Sequence, residues 1–334
     1  MSALANEARL GWGMWRRRPF NCLLQVTNRC NMRCGFCDFW PNGVPSHEEL
    51  ALTDFQRIAA ELADIGSFLV SIEGGEPFVR PDLVDIVRAF ARRHVPLLYT
   101  NGWYVDAAAA RALYAAGLAQ VGVSIDFPDA ARHDAKRGLA GAFERACRAL
   151  ELFRAAAPHG GRQVHVMTVL MQDNQDDLEP LLQLSARLGV GHCFTLLSDK
   201  GFRRGRTQAL PTRPLSRELS ALWRRYPHVR VFREYLDGID AFLAHADLPV
   251  CRAGAQSCNI DHRGNVAPCI EKIDRPVGNV REASLSELLA RTRVSPAVNG
   301  CQDCWTLCRG MAQTMGGGGT VRNWIDLATR MRSR

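Results

Sequence analysis

The sequence predicts an α/β fold in which six strand and helix repeats form a parallel sheet or barrel, followed by a small cysteine-rich extension. Between Pro19 and about Leu197, short apolar runs alternate with longer segments of helical amphipathic pattern. Strands separated by single helices are typical of right-handed βαβ units. After about Lys200 the alternation stops, and six of the twelve cysteines follow between Cys251 and Cys308.

Six apolar runs have the length and composition of buried parallel strands. They are FNCLLQV, FLVSIE, PLLYT, AQVGVSI, VHVMTVLM and CFTLL. The amphipathic segments after them predict helices at 53–66, 81–94, 106–117, 142–157 and 176–188. Thr53 is placed to cap the first helix, Pro81 suits a first helical turn, and Gly66 and Gly117 follow helix ends. A further helix is predicted at 216–226.

The composition excludes several classes of protein. With 334 residues and 47% hydrophobic content, the chain can bury a large core. The net charge is +8, but the basic residues occur in short groups such as Arg16 to Arg18, which are typical of solvated surfaces, so we expect no nucleic-acid partner. No apolar run reaches the roughly 18 residues that span a bilayer, and no export signal is present, so we expect a cytoplasmic protein.

Three cysteines lie close together in TNRCNMRCGFCDF, directly after the first predicted strand: Cys30, Cys34 and Cys37. In a reducing compartment, clustered cysteines hold metal more often than they form disulfides. Three thiols leave a structural zinc site one ligand short, whereas an iron–sulfur cubane takes one ligand per iron and would keep one iron open. A zinc loop completed by a distant ligand, or buried packing cysteines, are the alternatives.

This segment resembles the CxxxCxΦC signature of the radical S-adenosylmethionine (radical SAM) superfamily. Further motifs of the family follow at successive strand ends: GGEP after the second strand, TNG after the third and SID after the fourth. The resemblance covers about 19–205 and implies a partial (β/α)6 TIM-like barrel. It implies a 4Fe-4S cluster on Cys30, Cys34 and Cys37. The residues that it places near S-adenosylmethionine are Phe36, Gly74, Gly75, Glu76, Pro77, Asn101, Ser124 and Asp126.

These motifs also have a physical interpretation. Gly74 and Gly75 lack a Cβ atom, which would let the backbone approach a zwitterionic ligand closely. The Glu76 carboxylate could oppose an ammonium group. Each motif alone is equally typical of a turn, and Asp126 could simply cap a helix. The prediction therefore depends on the order of the motifs along one rim of the barrel.

The second group of cysteines consists of Cys251, Cys258, Cys269, Cys301, Cys304 and Cys308. Cys251-x12-Gly264-x4-Cys269 followed by CxxC looks like the SPASM or twitch extension of the same superfamily, which holds auxiliary iron–sulfur clusters. Only three residues separate Cys304 from Cys308, and no cysteine follows, so the full SPASM pattern is not met. We expect at least one auxiliary 4Fe-4S cluster on Cys251, Cys269 and two of the other four. A second cluster with a non-cysteine ligand, or structural zinc, are the alternatives.

The sequence also predicts how the chain is divided. We expect an N-terminal extension at 1–18, the barrel at 19–230, the auxiliary-cluster domain at 231–315 and a tail at 316–334. The segment TMGGGGT predicts a turn before a terminal helix. Cys22, Cys147 and Cys193 lie in apolar patterns and are expected in the core.

The resemblance implies an enzyme that cleaves S-adenosylmethionine reductively to a 5′-deoxyadenosyl radical and removes a hydrogen atom from a substrate. Oxidation, crosslinking or epimerisation of a peptide or of a small sugar or aminocyclitol is expected, with an electron donor such as flavodoxin or ferredoxin. Few residues precede the first strand, which argues against a fused peptide-recognition domain. A non-enzymatic iron–sulfur or zinc-binding protein is the alternative.

One basic loop is a candidate for contact with an anionic substrate. The segment KGFRRGR follows the sixth strand and contains Lys200, Arg203, Arg204 and Arg206. Guanidinium groups at the barrel mouth could grip a carboxylate or phosphate. A solvated basic loop is an equally good interpretation.

Overall fold

The structure is a computed structural model that describes residues 3–158, 163–201, 209–316 and 321–331. Within these residues, nine strands form one sheet in the order β6-β5-β4-β3-β2-β1-β7-β8-β9. The strands are β1 Asn21–Thr27, β2 Leu69–Gly74, β3 Val95–Thr100, β4 Gln120–Ser124, β5 Val164–Leu170, β6 Gly191–Leu196, β7 Ser257–Ile260, β8 Asn265–Ala267 and β9 Gly278–Asn279.

The first six strands confirm the predicted barrel. They pair in parallel with their neighbours in chain order. Strand β1 pairs with β2 on one side and with β7 on the other, so it does not pair with β6 and the barrel stays open. The result is a partial (β/α)6 TIM-like barrel with a cysteine-rich C-terminal extension.

The helices of the first 200 residues alternate with these strands. They are α1 Ala3–Trp15, α2 Leu52–Ile65, α3 Leu83–Ala91, α4 Ala107–Ala115, α5 Ala130–Arg137, α6 Ala142–Ala156 and α7 Leu178–Leu188. Helices α1 and α5 were not predicted from the sequence. The predicted cap at Thr53 is wrong: α2 begins at Leu52, and the Asp54 carboxylate accepts a hydrogen bond of 3.0 Å from the backbone N–H of Ala51.

The remaining helices follow the barrel. They are α8 Ser216–Arg225, α9 Arg233–Asp237, α10 Ile239–Leu243, α11 Leu285–Arg293, α12 Leu307–Gly316 and α13 Val321–Asp326. The turn predicted at TMGGGGT is wrong for its first three residues, which end α12, and 317–320 lie outside the described residues. The predicted terminal helix is confirmed by α13. No helix that the structure describes is long and apolar enough to cross a membrane.

The extension continues the sheet of the barrel. Strand β7 lies parallel to β1, and β8 and β9 follow as antiparallel neighbours. The register places Cys258 of β7 directly beside Cys22 of β1. Both side chains are fully buried in the apolar core between the sheet and the helices. The extension is therefore anchored to the barrel by strand pairing.

Two glycines let the end of β2 pass closely beside the end of β1. A Cβ atom on Gly74 would lie 2.1 Å from the carbonyl oxygen of Thr27, and one on Gly75 would lie 2.2 Å from that of Arg29. The backbone N–H groups of Gly75 and Glu76 donate to these two carbonyls over 2.7 and 2.9 Å. Arg29 immediately precedes Cys30, so this approach fixes the first cysteine loop.

A substitution that adds one methyl group tests this constraint. We expect Gly75→Ala to lower the free energy of unfolding by about 1–3 kcal/mol, because overpacking shifts the backbone of β1 or of the cysteine loop. Gly66→Ala is the matched control, since a Cβ atom there meets nothing within 4 Å and the backbone is extended (φ 169°). Thermal unfolding of the anaerobically purified proteins measures both, and an unchanged melting temperature for Gly75→Ala would contradict the constraint.

Candidate active site

A cavity with an empty volume of about 1230 Å³, its open mouth included, lies inside the barrel towards the carboxyl ends of the strands. Within the strands, many lining residues are two positions apart, as in Asn21 and Leu23 of β1 or Met167 and Val169 of β5, because alternate side chains of a strand share one face. Leu307, Cys308 and Met311 of α12 also line the cavity. The cavity is therefore bounded by both parts of the chain.

The three cysteines of the first group all line this cavity. The backbone N–H of Cys37 donates to the carbonyl of Cys34 over 3.2 Å, and the N–H of Met32 points at the Cys30 sulfur over 3.4 Å. Burial raises the pKa of Cys30 to about 12 and the pKa of Cys34 to about 11. Such thiols become thiolates only when a bound cation compensates for the lost solvation.

Arg137 lies beside these thiols, and the sequence analysis did not predict it as a residue of the site. Its guanidinium pairs with the buried Asp126 carboxylate at 2.6 Å, lies 3.9 Å from the Cys34 sulfur and stacks 5.3 Å from the Phe36 ring centre. Burial by itself would lower the pKa of Arg137, but Asp126 and Cys34 raise it above its usual value. Arg137 is thus a fixed positive charge on the cavity wall.

Two predicted contacts of S-adenosylmethionine have other roles in the structure. Asp126 is fully buried and does not line the cavity; it holds Arg137 and accepts a hydrogen bond of 3.0 Å from the backbone of Val169. Glu76 is also fully buried outside the lining. In this structure both carboxylates therefore lie behind the cavity lining, and their contact with S-adenosylmethionine stays a prediction.

The Glu76 carboxylate joins the ends of two strands. It accepts hydrogen bonds from the hydroxyl of Thr100 (2.7 Å) and from the backbone N–H groups of Asn101 (2.7 Å) and Phe78 (3.0 Å). Burial raises its pKa from 4.5 to about 7, while the backbone donors of Asn101 and Phe78 act in the opposite direction. Pro77 begins the short turn after it and is buried.

Pro77 does not line the cavity, whereas the other five predicted contacts do, namely Phe36, Gly74, Gly75, Asn101 and Ser124. The Asn101 amide donates to the side-chain oxygen of Asn31 over 2.9 Å and lies 3.9 Å from the Cys30 sulfur. Asn101 thereby connects the end of β3 to the cysteine loop.

The floor of the cavity carries polar groups that the sequence analysis missed: Asn21, Ser71, Glu73, Tyr99 and Thr195. They occupy inward-facing positions of strands whose sequences are otherwise mostly apolar. The Asn21 side chain is 1% exposed, and its oxygen has no hydrogen-bond partner in the structure. Among the described residues of the lining, Glu73 is the single carboxylate and Arg137 the single guanidinium. Polar residues at alternate positions of a predicted buried strand were the sequence pattern from which these lining residues could have been predicted.

A second, smaller cavity has an empty volume of about 390 Å³, its open mouth included, and its lining contains Cys251, Cys269, Cys304 and Cys308. Cys301 and Cys258 are not part of its lining. Of the basic loop, Lys200 is exposed, whereas Arg203, Arg204 and Arg206 lie outside the described residues.

Both sets of thiols fit iron–sulfur clusters in their chemistry. Each iron of such a cluster takes its own thiolate, so the ligands surround a cavity and need not converge on one ion. Within the described ranges, no group of three or more His, Cys, Asp or Glu side chains is placed to hold a single metal ion. The first set supplies three sulfurs on one wall, and the second supplies four around one space.

Comparison with known proteins agrees with this arrangement. A family model described as the radical SAM superfamily matches residues 24–185, and one described as an iron–sulfur cluster-binding domain, SPASM, matches 251–305. The mycofactocin maturase MftC of Mycolicibacterium smegmatis is 31% identical over 309 residues, covering 87% of this chain and 77% of that protein. The AdoMet-dependent heme synthase of Nitratidesulfovibrio vulgaris is 26% identical, covering 79% and 77%.

Solved structures show the same fold at low sequence identity. SuiB of Streptococcus suis superimposes with a TM-score of 0.65 at 16% identity, covering 84% of this chain and 67% of SuiB. The enzyme anSMEcpe, in a complex with AdoMet and the Cp18Cys peptide, gives a TM-score of 0.61 at 17% identity, covering 81% and 80%.

A conservative change of the buried guanidinium tests its role at the cavity. We expect Arg137→Lys to weaken S-adenosylmethionine binding by about ten- to a hundredfold. Lysine lacks the planar guanidinium that can donate two hydrogen bonds to a carboxylate, and the loss of one hydrogen bond to a charged group costs about 1.5–3 kcal/mol. Arg132→Lys is the matched control on α5, because Arg132 pairs with Asp177 at the surface. Equilibrium dialysis of S-adenosylmethionine against the anaerobic holoenzymes measures both dissociation constants. Equal values for the two variants would contradict a role of Arg137 in binding S-adenosylmethionine.

The raised pKa of Glu76 predicts a dependence of stability on pH. Because the folded state binds this proton more tightly than the unfolded chain, the contribution of Glu76 to stability is full below pH 4.5 and is lost as the pH rises through about 7. Glu76→Gln removes this titration. Anaerobic urea unfolding between pH 5.5 and 8 should therefore show a smaller loss of stability with rising pH in the variant, and parallel pH profiles would contradict the shift.

Proposed function

Because the chain belongs to the radical SAM superfamily and carries a SPASM-type iron–sulfur domain, we propose that it oxidises a carbon of a peptide bound in the larger cavity. The single observation that supports this most is the arrangement of the cavity between the two sets of thiols. Cys30, Cys34 and Cys37 would hold a 4Fe-4S cluster, which would supply the electron for reductive cleavage of S-adenosylmethionine and so allow a hydrogen atom to be removed from the substrate.

The residues of the first wall would hold the cofactors. Cys30, Cys34 and Cys37 supply three thiolates and leave one iron open. The glycine backbone at Gly74 and Gly75 carries no side chain into the cavity. Arg137, fixed by Asp126, offers its charge to a carboxylate, which is the group that a guanidinium binds best.

The floor of the cavity would hold the substrate. Glu73 accepts hydrogen bonds, while the hydroxyls of Tyr99 and Thr195 both donate and accept them. The side-chain oxygen of Asn21 adds an acceptor that has no partner among the described residues. Apolar side chains surround these groups and limit the access of water, namely Leu23, Met32, Phe36, Phe39, Met167, Val169 and Met311. Such a floor suits the amides and amines of a peptide.

A peptide substrate is favoured by the similar proteins. The mycofactocin maturase MftC is among the relatives above 30% identity. SuiB has been solved with its precursor peptide SuiA, and anSMEcpe with a bound peptide. The test is anaerobic incubation of the reduced holoenzyme with short peptides encoded beside its gene. A peptide product that has lost two hydrogen atoms supports the proposal, and oxidation of a small sugar instead would contradict it.

Removal of one thiol of the first group tests the radical step itself. We expect Cys34→Ala to reduce 5′-deoxyadenosine formation to background. The two remaining thiolates cannot hold a 4Fe-4S cluster that needs three cysteine ligands and leaves its fourth iron open. Cys147→Ala is the control, since Cys147 lies on α6 away from both cavities. Mass spectrometry after addition of dithionite and S-adenosylmethionine measures both, and undiminished cleavage by Cys34→Ala would overturn the cluster assignment.

A further inference from the structure

The outward face of α1 carries large apolar side chains that are exposed to solvent. Leu4, Ala8, Trp12 and Trp15 are three or four positions apart, so they form one stripe along the helix. Leu4 is 64% exposed, Trp12 59% and Trp15 64%, and Ala8 is exposed as well. Tryptophan is on average a highly buried residue, so two exposed indole rings on one stripe need an explanation.

The opposite face of α1 fixes the helix to the barrel. The buried Asn6 donates from its amide to the carbonyl oxygen of His94 over 3.1 Å, and the Ser67 hydroxyl donates to the backbone carbonyl of Asn6 over 3.1 Å. Leu10 and Met14 pack against an apolar cluster that includes side chains of β6 and α12. His94 directly precedes β3, and Ser67 lies shortly before β2. Helix α1 therefore lies at the amino ends of the strands, whereas the larger cavity lies towards their carboxyl ends.

Three consecutive arginines follow the stripe. Arg16, Arg17 and Arg18 are all exposed, and they lie shortly before β1, at the same end of the barrel. The Arg16 guanidinium lies 5.7 Å from the centre of the Trp12 ring, and the rings of Trp12 and Trp15 stack with 5.0 Å between their centres. Residues 3–18 contain four arginines and a single acidic residue. The surface thus combines exposed aromatic rings with a surplus of positive charge.

An anionic lipid surface is the partner that this combination fits best. Indole rings are enriched at the level of lipid headgroups, because they are apolar with one polar edge, and guanidinium groups bind phosphate well. Neither of the two cavities described above is lined by a residue of α1, so the stripe offers protruding rings and no groove. Protruding rings can sink into a fluid surface, whereas a folded protein partner would need a matching pocket.

We propose that the α1 surface, formed by Leu4, Ala8, Trp12, Trp15 and Arg16 to Arg18, binds the protein to the surface of an anionic bilayer. The stripe enters the headgroup layer, and the arginines pair with lipid phosphates. A surface association of this kind needs no membrane-spanning segment. Because α1 lies at the amino ends of the strands, the larger cavity remains open at the opposite end of the barrel. The proposal concerns a surface remote from the reaction and does not depend on the proposed function.

Vesicle binding tests the role of the exposed rings. The anaerobic holoenzyme is sedimented with vesicles of phosphatidylcholine, either pure or mixed with the anionic phosphatidylglycerol. We expect the wild-type protein to bind the mixed vesicles, and the double variant Trp12→Ser/Trp15→Ser to bind them about tenfold more weakly or less. Tyr104→Ser is the matched control, since Tyr104 is also an exposed aromatic residue but follows the carboxyl end of β3. It should bind as the wild type does.

The same assay tests the role of the positive charge. Each basic residue near an anionic surface strengthens binding about fivefold, so we expect the triple variant Arg16→Gln/Arg17→Gln/Arg18→Gln to bind the mixed vesicles about a hundredfold more weakly. High salt should weaken binding of the wild-type protein by screening these charges. Equal binding to pure phosphatidylcholine vesicles, or no binding of the wild type to the mixed vesicles, would overturn the proposal.

Two further measurements separate lipid binding from other causes. Cleavage of S-adenosylmethionine with dithionite should be the same in the wild type and in all variants, which shows that each variant is folded and keeps the result apart from any failure of the proposed function. Light scattering without lipid measures self-association. A wild-type dimer that Trp12→Ser/Trp15→Ser converts to a monomer would assign the α1 surface to a second copy of the chain and would overturn the proposal.

Discussion

The site depends on the close contact between the end of β2 and the loop that begins after β1. Main-chain hydrogen bonds from Gly75 and Glu76 to Thr27 and Arg29 hold that loop, and only glycine leaves room for them. The loop that carries the three thiols is therefore anchored at its start by backbone geometry, and contacts of Cys30 with Asn101 and of Cys34 with Arg137 add to this. The Glu76 carboxylate extends the same connection to β3 through Thr100 and Asn101.

Buried charges serve this site mainly as supports. Asp126 and Glu76 use their oxygens on protein donors and do not line the cavity. What reaches the cavity is the group that Asp126 holds, the Arg137 guanidinium. A buried charge is costly without a partner, and this pairing offsets part of the cost of keeping one cation beside the thiols. It also separates two positions, since Asp126 lies behind the lining and Arg137 lines the cavity.

Much of this arrangement could be predicted from the sequence. The six strands, Cys30, Cys34 and Cys37, and the lining residues Gly74, Asn101 and Ser124 all follow from local patterns. Roles that depend on side-chain direction could not be predicted. Spacing cannot show that Glu76 and Asp126 stay outside the cavity lining, that Arg137 at the end of α5 is part of it, or that pairing of β7 with β1 buries Cys258. These outcomes are decided by tertiary packing.

The most direct test of the account is an EPR measurement on the dithionite-reduced holoenzyme before and after S-adenosylmethionine is added. The account places an open iron only at the cluster on Cys30, Cys34 and Cys37, because four thiols surround the second cavity. It therefore predicts two cluster signals, of which one changes when S-adenosylmethionine binds and the other does not. A spectrum that does not respond to S-adenosylmethionine would contradict the assignment of this cavity as a radical SAM active site.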